Sequence, residues 1–239
     1  AGRRLAPLTR LRPKALCPVG GRPLVDLALD RLRPVTRALA VNVHAGREAM
    51  EAHLDGRAHV SVEEPEALGT AGALGRLRPW IDGRPTIVAN ADAWLADDVA
   101  SLTDGWDGER MRLLCVRDPA RGDFGDLRYC GLALLPWSVV GALAEEPSGL
   151  YEVAWRAAAV VGVLDLVVHP GAFVDCGTPA DYLEANLASS GGASVVAPAA
   201  TVGAGAVVER SVVWPGSVVA PGEVLVDAVR AGPLTVLVR

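Results

Sequence analysis

Short apolar runs alternate with amphipathic stretches from residue 23 to residue 187, and this alternation is the strongest constraint on the fold. The runs at residues 38–43, 86–89 and 111–116 have the length and the near-continuous apolar character of strands that are buried on both faces. Stretches between them, such as residues 47–54, have the spacing of helices. Strands separated by helices indicate an α/β fold with a doubly wound, mainly parallel, Rossmann-like sheet and helices on both faces.

The predicted elements follow this pattern along the chain. Strands are predicted at residues 38–43, 59–62, 86–89, 111–116, 129–135, 163–168 and 173–174. Helices are predicted from Pro23 to the residue before Pro34, and at residues 47–54, 70–77, 95–102, 137–143, 151–161 and 179–187. Residues 117–128 are polar and contain several glycines, which predicts a loop that could cover a binding site.

The composition changes after residue 190 to valine, alanine, glycine and proline. Apolar residues recur every six positions, first at Val196, Val202 and Val208 and then, after one slip of register, at Val213, Val219 and Leu225. A six-residue period predicts a short left-handed β-helix (hexapeptide repeat), and a pair of ordinary β-hairpins is the alternative. We expect this tail, residues 191–239, to act as a cap or as the contact surface of a homo-oligomer.

The composition excludes several classes of protein. With 239 residues, of which 51% are hydrophobic and 21% charged, the chain has the composition of a globular protein. Its apolar runs fall short of the roughly 20 residues of a membrane-spanning helix, and its net charge of −5 argues against nucleic-acid binding. No signal peptide is visible, although the chain does not begin with methionine. The four scattered cysteines include no CxxC pair, so we expect reduced thiols and a cytoplasmic protein.

Lys14 is the only lysine among the 23 lysine and arginine residues. A lysine in a chain that otherwise uses arginine indicates a role for a compact, mobile ammonium group rather than a planar guanidinium. Close to a glycine turn, such a group can hold a phosphate as a point charge. Arg4 stands ten residues earlier, so residues 1–14 predict a phosphate-binding segment for a nucleotide. A basic surface loop is the alternative interpretation.

Two aspartates follow predicted strands and could hold a metal ion. In open α/β sheets, ligands bind beyond the carboxyl ends of the strands. Asp92 follows the strand at residues 86–89, and Asp175 follows the strand at residues 173–174. Such carboxylates bind Mg²⁺ together with substrate phosphate oxygens, and the alternative is that each aspartate caps a helix or forms a turn. Because a phosphate-binding segment is also predicted, we expect Asp92 and Asp175 to bind Mg²⁺.

Several segments resemble, in the same order, the motifs of sugar-1-phosphate nucleotidylyltransferases, also called NDP-sugar pyrophosphorylases. The opening residues 4–19, RLAPLTRLRPKALCPV, are similar to the family pattern G-x-G-T-R-L-x-P-L-T-x-x-x-P-K-x-L-x-P-V, with the same interval of ten between arginine and lysine. LGTAG at 68–72, NAD at 90–92 and VDCGTP at 174–179 resemble the family's nucleotide loop, its N-G-D and its D-x-G-T-P. Together with the short repeat tail, the resemblance spans nearly the whole chain and extends to mannose-1-phosphate guanylyltransferase-like members.

The resemblance implies a reaction and a set of site residues. Members of this family join an NTP and a sugar 1-phosphate, with Mg²⁺, to give an NDP-sugar and pyrophosphate. The implied catalytic residues are Arg4, which would hold the pyrophosphate, and Lys14, which would neutralise charge on the phosphates. The implied metal ligands are Asp92 and Asp175, the implied nucleotide-binding residues are Gly2, Gly69, Thr70 and Ala71, and the implied sugar-binding residues are Gly131 and Glu152. Residues 1–190 would form the nucleotidyltransferase domain.

The chain departs from the family pattern at two places. Only three residues precede Arg4, so the G-x-G-T loop and the strand before it are not among the residues of the sequence. The family's second lysine, in an E-K-P stretch, has no counterpart because Lys14 is the only lysine. GTP with mannose 1-phosphate is the predicted substrate pair. Uridylyl or thymidylyl transfer to another hexose or amino-sugar 1-phosphate is the alternative.

Two functions from other classes fit parts of the sequence. A hexapeptide-repeat acyltransferase would need a histidine base in or near the coils, but no histidine follows His169. A non-catalytic nucleotide-sugar sensor could keep the fold without both metal ligands. The presence of Lys14, Asp92 and Asp175 together therefore favours an enzyme.

Overall fold

The computed structural model describes residues 3–96 and 100–238, and the chain divides into two compact units. The first unit contains Ala1–Asp30, Ala91–Ala96 and Ala172–Arg239. The second unit contains Arg31–Asn90 and Asp97–Gly171. Each unit is therefore built from segments that are distant in the sequence. The predicted boundary after residue 190 rests on composition and stays a prediction.

The helices are short and the strands are distributed along the whole chain. The helices are α1 (Leu24–Leu32), α2 (Arg47–Leu54), α3 (Gly69–Ile81), α4 (Ala100–Thr103), α5 (Trp137–Val140), α6 (Arg156–Val160) and α7 (Pro179–Ser189). Short 3-10 turns lie at Arg3–Leu5, Leu8–Arg10 and Lys14–Leu16, and a π-helical turn at Tyr151–Trp155 leads into α6. Within residues 3–96 and 100–238, no helix has the length and apolar character needed to cross a membrane.

The strands before the tail are β1 (Pro18–Val19), β2 (Arg22–Pro23), β3 (Ala40–Val43), β4 (His59–Val62), β5 (Thr86–Ala89), β6 (Ala93–Leu95), β7 (Met111–Arg117), β8 (Leu127–Leu135), β9 (Leu164–Val168) and β10 (Phe173–Asp175). The tail strands are β11 (Val195–Val196), β12 (Thr201–Val202), β13 (Val207–Glu209), β14 (Val212–Val213), β15 (Val218–Val219), β16 (Val224–Val226), β17 (Ala228–Ala231) and β18 (Leu234–Leu237).

An antiparallel strand pair followed by a helix organises the first unit. β6 pairs with β10 so that Asp175 lies opposite Ala93. The following helix, α7, begins with a capping box: the Asp181 N–H donates to Thr178 Oγ1, and the Thr178 N–H donates to Asp181 Oδ2. This cap at Thr178, three residues after β10 ends, fixes the start of α7.

The hydrophobic core of the first unit joins the opening segment, α7 and the tail. Its buried members include Leu5, Leu8 and Cys17 from the opening segment, Tyr182, Leu183 and Ala185 from α7, and Val212, Trp214 and Val229 from the tail. Tyr182 connects all three parts, because its hydroxyl donates to the Pro18 carbonyl oxygen and accepts a hydrogen bond from Trp214 Nε1 at 2.9 Å. Burial of these side chains therefore stabilises the three segments together.

The tail is a stack of short parallel strands that repeats every 17 residues. The pairs are Val195 with Val212, Thr201 with Val218 and Val207 with Val224. The offset is one residue less than three six-residue repeats, which agrees with the slip of register in the sequence. β-Hairpins would pair antiparallel, and only the last pair, β17 with β18, does so among the tail strands described. The left hand of the predicted β-helix stays a prediction.

The apolar positions of the hexad pattern differ in burial between the two coils. Val213, Val219 and Leu225 are 1%, 0% and 3% exposed, whereas Val196 and Val202 are 41% and 43% exposed. Both sets lie on strands that pair with the other coil, and only β14 of the second coil has a further strand, β17, on its other side. The six-residue period therefore marks the recurring apolar positions but does not by itself predict which of them are buried.

The second unit contains a four-stranded sheet in the order β5-β8-β7-β9 and a separate parallel pair, β3 with β4. β8 is antiparallel to both β5 and β7, whereas β7 and β9 are parallel. The prediction of a mainly parallel sheet is therefore wrong here, and the fold is α/β with mixed sheets. β7 and β8 are joined directly by residues 118–126, and a connection without a crossover helix leaves neighbouring strands antiparallel.

Two predicted helices have a different structure. In place of the helix predicted at residues 95–102, Ala93–Leu95 forms β6 and Ala100–Thr103 forms α4, while residues 97–99 lie outside the described part of the chain. Residues 93–95 are extended because they pair with β10, which lies far away in the sequence. The helix predicted at residues 151–161 is a π-helical turn followed by α6.

Candidate active site

Lys14 contacts two aspartate side chains in the first unit. Its Nζ donates a hydrogen bond to Asp92 Oδ2 at 2.8 Å and lies 3.6 Å from Asp175 Oδ1. The Lys14 side chain is only 13% exposed, whereas the Asp92 and Asp175 side chains are 46% and 33% exposed. The ammonium group is therefore largely withdrawn from water while both carboxylates remain accessible. The structure brings together three of the residues that the sequence assigned to phosphate and metal binding.

Strand pairing and one short turn position these three residues. Asp92 directly precedes β6 and Asp175 ends β10, so the antiparallel register places both aspartates at the same end of the strand pair. Lys14 begins a 3-10 turn that follows Pro13, and the Cys17 N–H closes the turn by donating to the Lys14 carbonyl oxygen at 2.9 Å. Because Cys17 is fully buried, this turn is anchored in the core and the lysine side chain is held near the aspartates.

Arg4 lies on the other side of Asp175. Its Nη2 is 3.9 Å from Asp175 Oδ2, and the Arg4 side chain is 75% exposed, which makes a loose ion pair of little energetic weight. Gly177 lies beside this pair: a Cβ atom there would be 3.2 Å from Arg4 Nη2 and 3.4 Å from Asp175 Oδ2. Glycine at position 177 therefore leaves the space next to both charged groups open.

Asp92 and Asp175 are the candidate ligands of a divalent metal ion. Asp92 Oδ2 and Asp175 Oδ1 lie 2.8 and 3.6 Å from the same Lys14 Nζ, so the two carboxylates are close neighbours. Mg²⁺ commonly takes one or two carboxylates together with phosphate oxygens and water. No cluster of three or more His, Cys, Asp and Glu side chains that could hold a metal was found among the described residues. A metal ion held by Asp92 and Asp175 would take its remaining ligands from phosphate oxygens and water.

Three of the four residues predicted to bind the nucleotide, Gly69, Thr70 and Ala71, form the first turn of α3 in the second unit. Gly69 has a φ of +68°, which favours glycine, and a Cβ atom there would lie 2.5 Å from the Ser148 carbonyl oxygen. The Ala71 N–H donates to the same oxygen at 3.1 Å, and the Ser148 N–H donates to the Leu68 carbonyl oxygen at 2.9 Å. Thr70 is exposed. Ser148 therefore holds the backbone on which Gly69, Thr70 and Ala71 lie.

Glu63 supports the same segment and was not among the predicted site residues. The residue is 2% exposed, and its carboxylate accepts hydrogen bonds from Asn42 Nδ2 at 2.7 Å and from the Leu68 N–H at 2.9 Å. A buried carboxylate needs such donors to offset the loss of hydration. In the sequence Glu63 opens an acidic run with proline, a pattern typical of an exposed turn. Only its position directly after a strand could have indicated burial.

The predicted sugar-binding residues lie at two places in the second unit. Gly131 in β8 has a φ of +92°, and a Cβ atom there would lie 3.1 Å from Asn90 Cβ. The Asn90 N–H donates to the Gly131 carbonyl oxygen at 2.8 Å, so Gly131 packs against the first residue of the Asn-Ala-Asp motif. Glu152 is exposed on the π-helical turn and lines a cavity together with Tyr129.

The four cysteines do not provide a nucleophile. All four thiols are free and buried. Burial raises the pKa of Cys17, Cys115, Cys130 and Cys176 to about 12 in each case. Because the thiolate is the reactive form, these side chains are inert packing groups near neutral pH.

The predicted site residues are thus divided between the two units. Arg4, Lys14, Asp92 and Asp175 belong to the first unit, and the remaining described ones, Gly69, Thr70, Ala71, Gly131 and Glu152, belong to the second. Gly2 lies outside the described residues.

Comparison with known proteins establishes the family of this protein and its class of enzyme. A family model described as the MobA-like NTP transferase domain matches residues 1–202. The chain belongs to this family. Its relatives are sugar-phosphate nucleotidyltransferases, which confirms the predicted family and the predicted class of enzyme.

Two relatives with similar sequences and one protein with a similar fold are described next. The chain is 29% identical over 230 residues to N-acetylmuramate alpha-1-phosphate uridylyltransferase of Caulobacter vibrioides, covering 79% of this chain and 94% of the relative. It is 37% identical over 98 residues to the protein of the same name in Neisseria meningitidis, covering 38% of this chain and 42% of the relative. The fold resembles that of mannose-1-phosphate geranyltransferase from Thermus thermophilus, with a TM-score of 0.71, 18% identity, and coverage of 99% and 91% of the two chains.

Proposed function

We propose that the protein transfers a uridylyl group from UTP to an amino-sugar 1-phosphate and releases pyrophosphate. The observation that carries the proposal is the contact of the only lysine with both Asp92 and Asp175, in a chain that belongs to the MobA-like NTP transferase family. A lone ammonium beside two carboxylates is suited to a reaction in which phosphate charge must be neutralised and a divalent metal held.

The choice of base and sugar rests on the relatives. The relative that is matched over 94% of its length is a uridylyltransferase whose named substrate is an amino-sugar phosphate. GTP with mannose 1-phosphate, the pair predicted from the sequence, has weaker support. The structure named for mannose 1-phosphate is 18% identical, and that likeness bears on the fold alone.

The proposed reaction is an in-line displacement. An oxygen of the sugar phosphate attacks the α-phosphorus of UTP, a new P–O bond forms, and the bond to the leaving pyrophosphate breaks. Lys14 neutralises charge on the α-phosphate and the incoming phosphate, and Arg4 holds the pyrophosphate. Such a transfer depends on positioning and charge neutralisation rather than on a covalent intermediate with the protein.

The remaining roles follow the family pattern residue by residue. Gly69, Thr70 and Ala71 line the base and ribose, Gly2 belongs to the phosphate-binding segment, and Gly131 and Glu152 contact the sugar. Asp92 and Asp175 hold Mg²⁺, which supplies charge neutralisation at the phosphates when it is bound.

Domain organisation, assembly and location are also proposals. Residues 1–190 form the nucleotidyltransferase domain, whose core also includes side chains of the tail, and residues 191–239 form a short β-helix that mediates a homo-oligomer. Exposed valines of the tail, among them Val196, Val202 and Val218, support a contact role for it. Four free thiols support a cytoplasmic location, where cysteines stay reduced.

A pyrophosphate-release assay tests the proposal. The full chain is incubated with Mg²⁺ and each pair of UTP, GTP or dTTP with N-acetylmuramate, N-acetylglucosamine, glucose or mannose 1-phosphate. We expect the highest kcat/KM with UTP and an amino-sugar phosphate, and no turnover after Mg²⁺ is removed by a chelator. Higher kcat/KM with GTP and mannose 1-phosphate would restore the original substrate prediction, and binding without turnover for every pair would favour a sensor.

Lys14→Ala tests the central residue in the same assay. Loss of a preorganised charge contact lowers turnover by roughly 100- to 1000-fold, and we expect the melting temperature to change little because the ion pair is partly exposed. Arg37→Ala, which removes an exposed positive charge elsewhere, is the matched control and should leave turnover unchanged. Near-normal turnover of Lys14→Ala would remove Lys14 from the mechanism.

A further inference from the structure

The tail residue Trp214 restrains the opening segment on both sides of Lys14. Trp214 is 2% exposed and directly follows β14. Before Lys14 in the sequence, the Arg12 guanidinium lies over the Trp214 ring, 4.4 Å from its centroid. After Lys14, the Pro18 carbonyl oxygen accepts a hydrogen bond from the Tyr182 hydroxyl, which in turn accepts from Trp214 Nε1 at 2.9 Å. One buried indole therefore holds residues 12 and 18, which flank the lysine.

The hydrogen bonds of the turn that begins at Lys14 are local. The Leu16 N–H donates to the Pro13 carbonyl oxygen, and the Cys17 N–H donates to the Lys14 carbonyl oxygen, both at 2.9 Å. Such bonds fix the shape of a turn but not its place relative to the rest of the chain. The place of this turn depends on the buried Cys17 side chain and on the two contacts that Trp214 makes.

The link from Arg12 to Lys14 is short and stiff. Two residues span at most about 7 Å of extended chain, and the residue between them is Pro13, whose ring fixes its φ, here −54°. The residue before a proline is restricted as well. A planar guanidinium stacks on an aromatic face and is attracted to it electrostatically. Holding Arg12 on the indole therefore limits where the Lys14 backbone can lie.

The position of the Lys14 backbone decides whether its ammonium group reaches both carboxylates. Nζ lies 2.8 Å from Asp92 Oδ2 and 3.6 Å from Asp175 Oδ1, and the Lys14 side chain is only 13% exposed. A flexible four-carbon stem does not by itself select this geometry. Charge neutralisation in a transition state needs a group that is already in place. A small shift of the backbone would therefore weaken the contribution of Lys14 to the reaction.

We propose that Arg12 and Trp214 are positioning residues for Lys14, so that the tail takes part in the reaction through the opening segment. Trp214 supplies a buried platform for the Arg12 guanidinium and a hydrogen bond that reaches Pro18 through Tyr182. Together these contacts hold Lys14 beside the two aspartates, and neither Arg12 nor Trp214 touches a substrate. The assignment rests on the proposed function, because it concerns the lysine of that reaction.

Two substitutions test the assignment by kinetics. Arg12→Met removes the guanidinium at similar length, and Trp214→Leu removes both the ring and its N–H. Each variant is assayed as the full chain with UTP, Mg²⁺ and N-acetylglucosamine 1-phosphate, well below its melting temperature so that the protein is folded. We expect kcat to fall roughly 10-fold in Arg12→Met and roughly 100-fold in Trp214→Leu, the effect of misplacing a reacting group by about 1 Å. The KM for UTP should change less than kcat, because neither side chain binds the nucleotide.

The double variant separates positioning from direct phosphate binding by Arg12. Without the Trp214 ring, Arg12 has lost the platform that orients it, so Arg12→Met should not lower kcat further in the Trp214→Leu background. An equal fall of kcat in both backgrounds, or a higher KM for UTP with unchanged kcat in Arg12→Met, would assign Arg12 to the phosphates and overturn the pairing.

Two matched controls make the same changes elsewhere in the chain. Arg22→Met removes a guanidinium that pairs with Asp30 at the surface of the first unit. Trp106→Leu removes an indole whose Nε1 donates to the Arg110 carbonyl oxygen at 2.8 Å. Both controls should keep the wild-type kcat.

The single lysine allows the position of Lys14 to be observed directly by NMR spectroscopy. Protein labelled with ¹³C at lysine Cε gives one lysine signal, because the chain contains no other lysine. A side chain held against two carboxylates has different surroundings from a free one. We expect the signal to move towards that of free lysine in Arg12→Met and Trp214→Leu and to keep its wild-type position in both controls. A loss of stability alone does not move the signal of the folded protein.

The lysine signal also separates this proposal from the proposed function. If wild type turns over no NTP and sugar pair, the proposed function fails, and the signal alone decides whether Arg12 and Trp214 position Lys14. If turnover occurs, a wild-type signal or a wild-type kcat in the two folded variants overturns the positioning role. If Trp214→Leu does not fold, Arg12→Met still tests the assignment by both measurements.

Discussion

Glu63 illustrates how one buried side chain can hold a binding segment in place. Its two carboxylate oxygens accept from Asn42 in β3 and from the backbone of Leu68 before α3, and the residue is 2% exposed. The segment from Leu68 to Ala71 carries the proposed nucleotide contacts. A positioning role of this kind acts through the backbone and not through contact with the nucleotide.

Replacing Glu63 tests this role. Glu63→Met removes both acceptors at similar length and leaves the Leu68 N–H unpaired, which should lower the free energy of unfolding by about 1–3 kcal/mol. Glu63→Gln should retain most of the stability, because the Asn42 amide can turn its oxygen towards the new NH₂ group. Urea denaturation measures both, and the KM for UTP should rise more in Glu63→Met.

Glu64→Gln provides the control for Glu63. Glu64 is exposed and pairs with Arg47 on the surface, so its change should shift stability by less than about 0.5 kcal/mol. Equal stability and equal KM for Glu63→Met and wild type would contradict the positioning role.

The candidate site was predictable where composition or strand ends singled out residues. Lys14 stood out as the only lysine, and Asp92 and Asp175 followed apolar runs. Glu63 was not predictable as a positioning residue, because an acidic residue beside proline has the pattern of an exposed turn. Its burial depends on the donors of Asn42 and Leu68, which are visible only once the chain is folded.

At the scale of elements, three glycines of α3 form a strip that allows close packing. They are spaced by three residues, and Cβ atoms at Gly69, Gly72 and Gly75 would lie 2.5, 2.1 and 2.2 Å from backbone oxygens of residues 144–148. Glycines three apart share one helix face. The face that carries the strip is therefore covered by backbone rather than by side chains, and this contact fixes the start of α3.

Gly75→Ala should destabilise the protein, although alanine is the better helix former by about 1 kcal/mol. The new Cβ would meet the Ala144 carbonyl oxygen at 2.2 Å, and such overpacking typically costs about 1–3 kcal/mol. Thermal unfolding measures the sign. Glu184→Ala, at an exposed position of α7, is the control and should leave the melting temperature nearly unchanged. A higher melting temperature for Gly75→Ala would disprove the close contact.

Elements defined by local pattern were predicted well, and elements defined by distant pairing were not. The helix at 47–54 and the strands at 59–62 and 86–89 have the predicted bounds, because their spacing alone specifies them. β6 was not predicted, and its last residue, Leu95, was placed in a helix, because the strand that pairs with β6, β10, lies far away in the sequence. The direction of β8 likewise depends on its connection to β7 and not on its apolar pattern.

At the scale of the whole molecule, the change of composition after residue 190 does not mark the limit of a hydrophobic core. Val212, Trp214 and Val229 of the tail pack in the same core as Leu5 and Tyr182. The Arg12 guanidinium also lies over the Trp214 ring, 4.4 Å from its centroid. A change of composition along the chain does not specify the limits of a core, because those limits depend on which side chains pack together in the fold.

The tail should therefore be required for the stability of the segment that carries Lys14. Trp214 is 2% exposed and donates to the Tyr182 hydroxyl, so Trp214→Ala should lower the free energy of unfolding by about 3–5 kcal/mol, measured by urea denaturation. Val218→Ala, 56% exposed in the same tail, is the control and should change it by less than about 0.5 kcal/mol. Deletion of residues 191–239 removes all tail members of this core at once, so the shortened chain should unfold or aggregate and lose turnover. A shortened chain that stays folded and monodisperse and keeps wild-type turnover would contradict this prediction. Residues 1–190 would then fold without the tail.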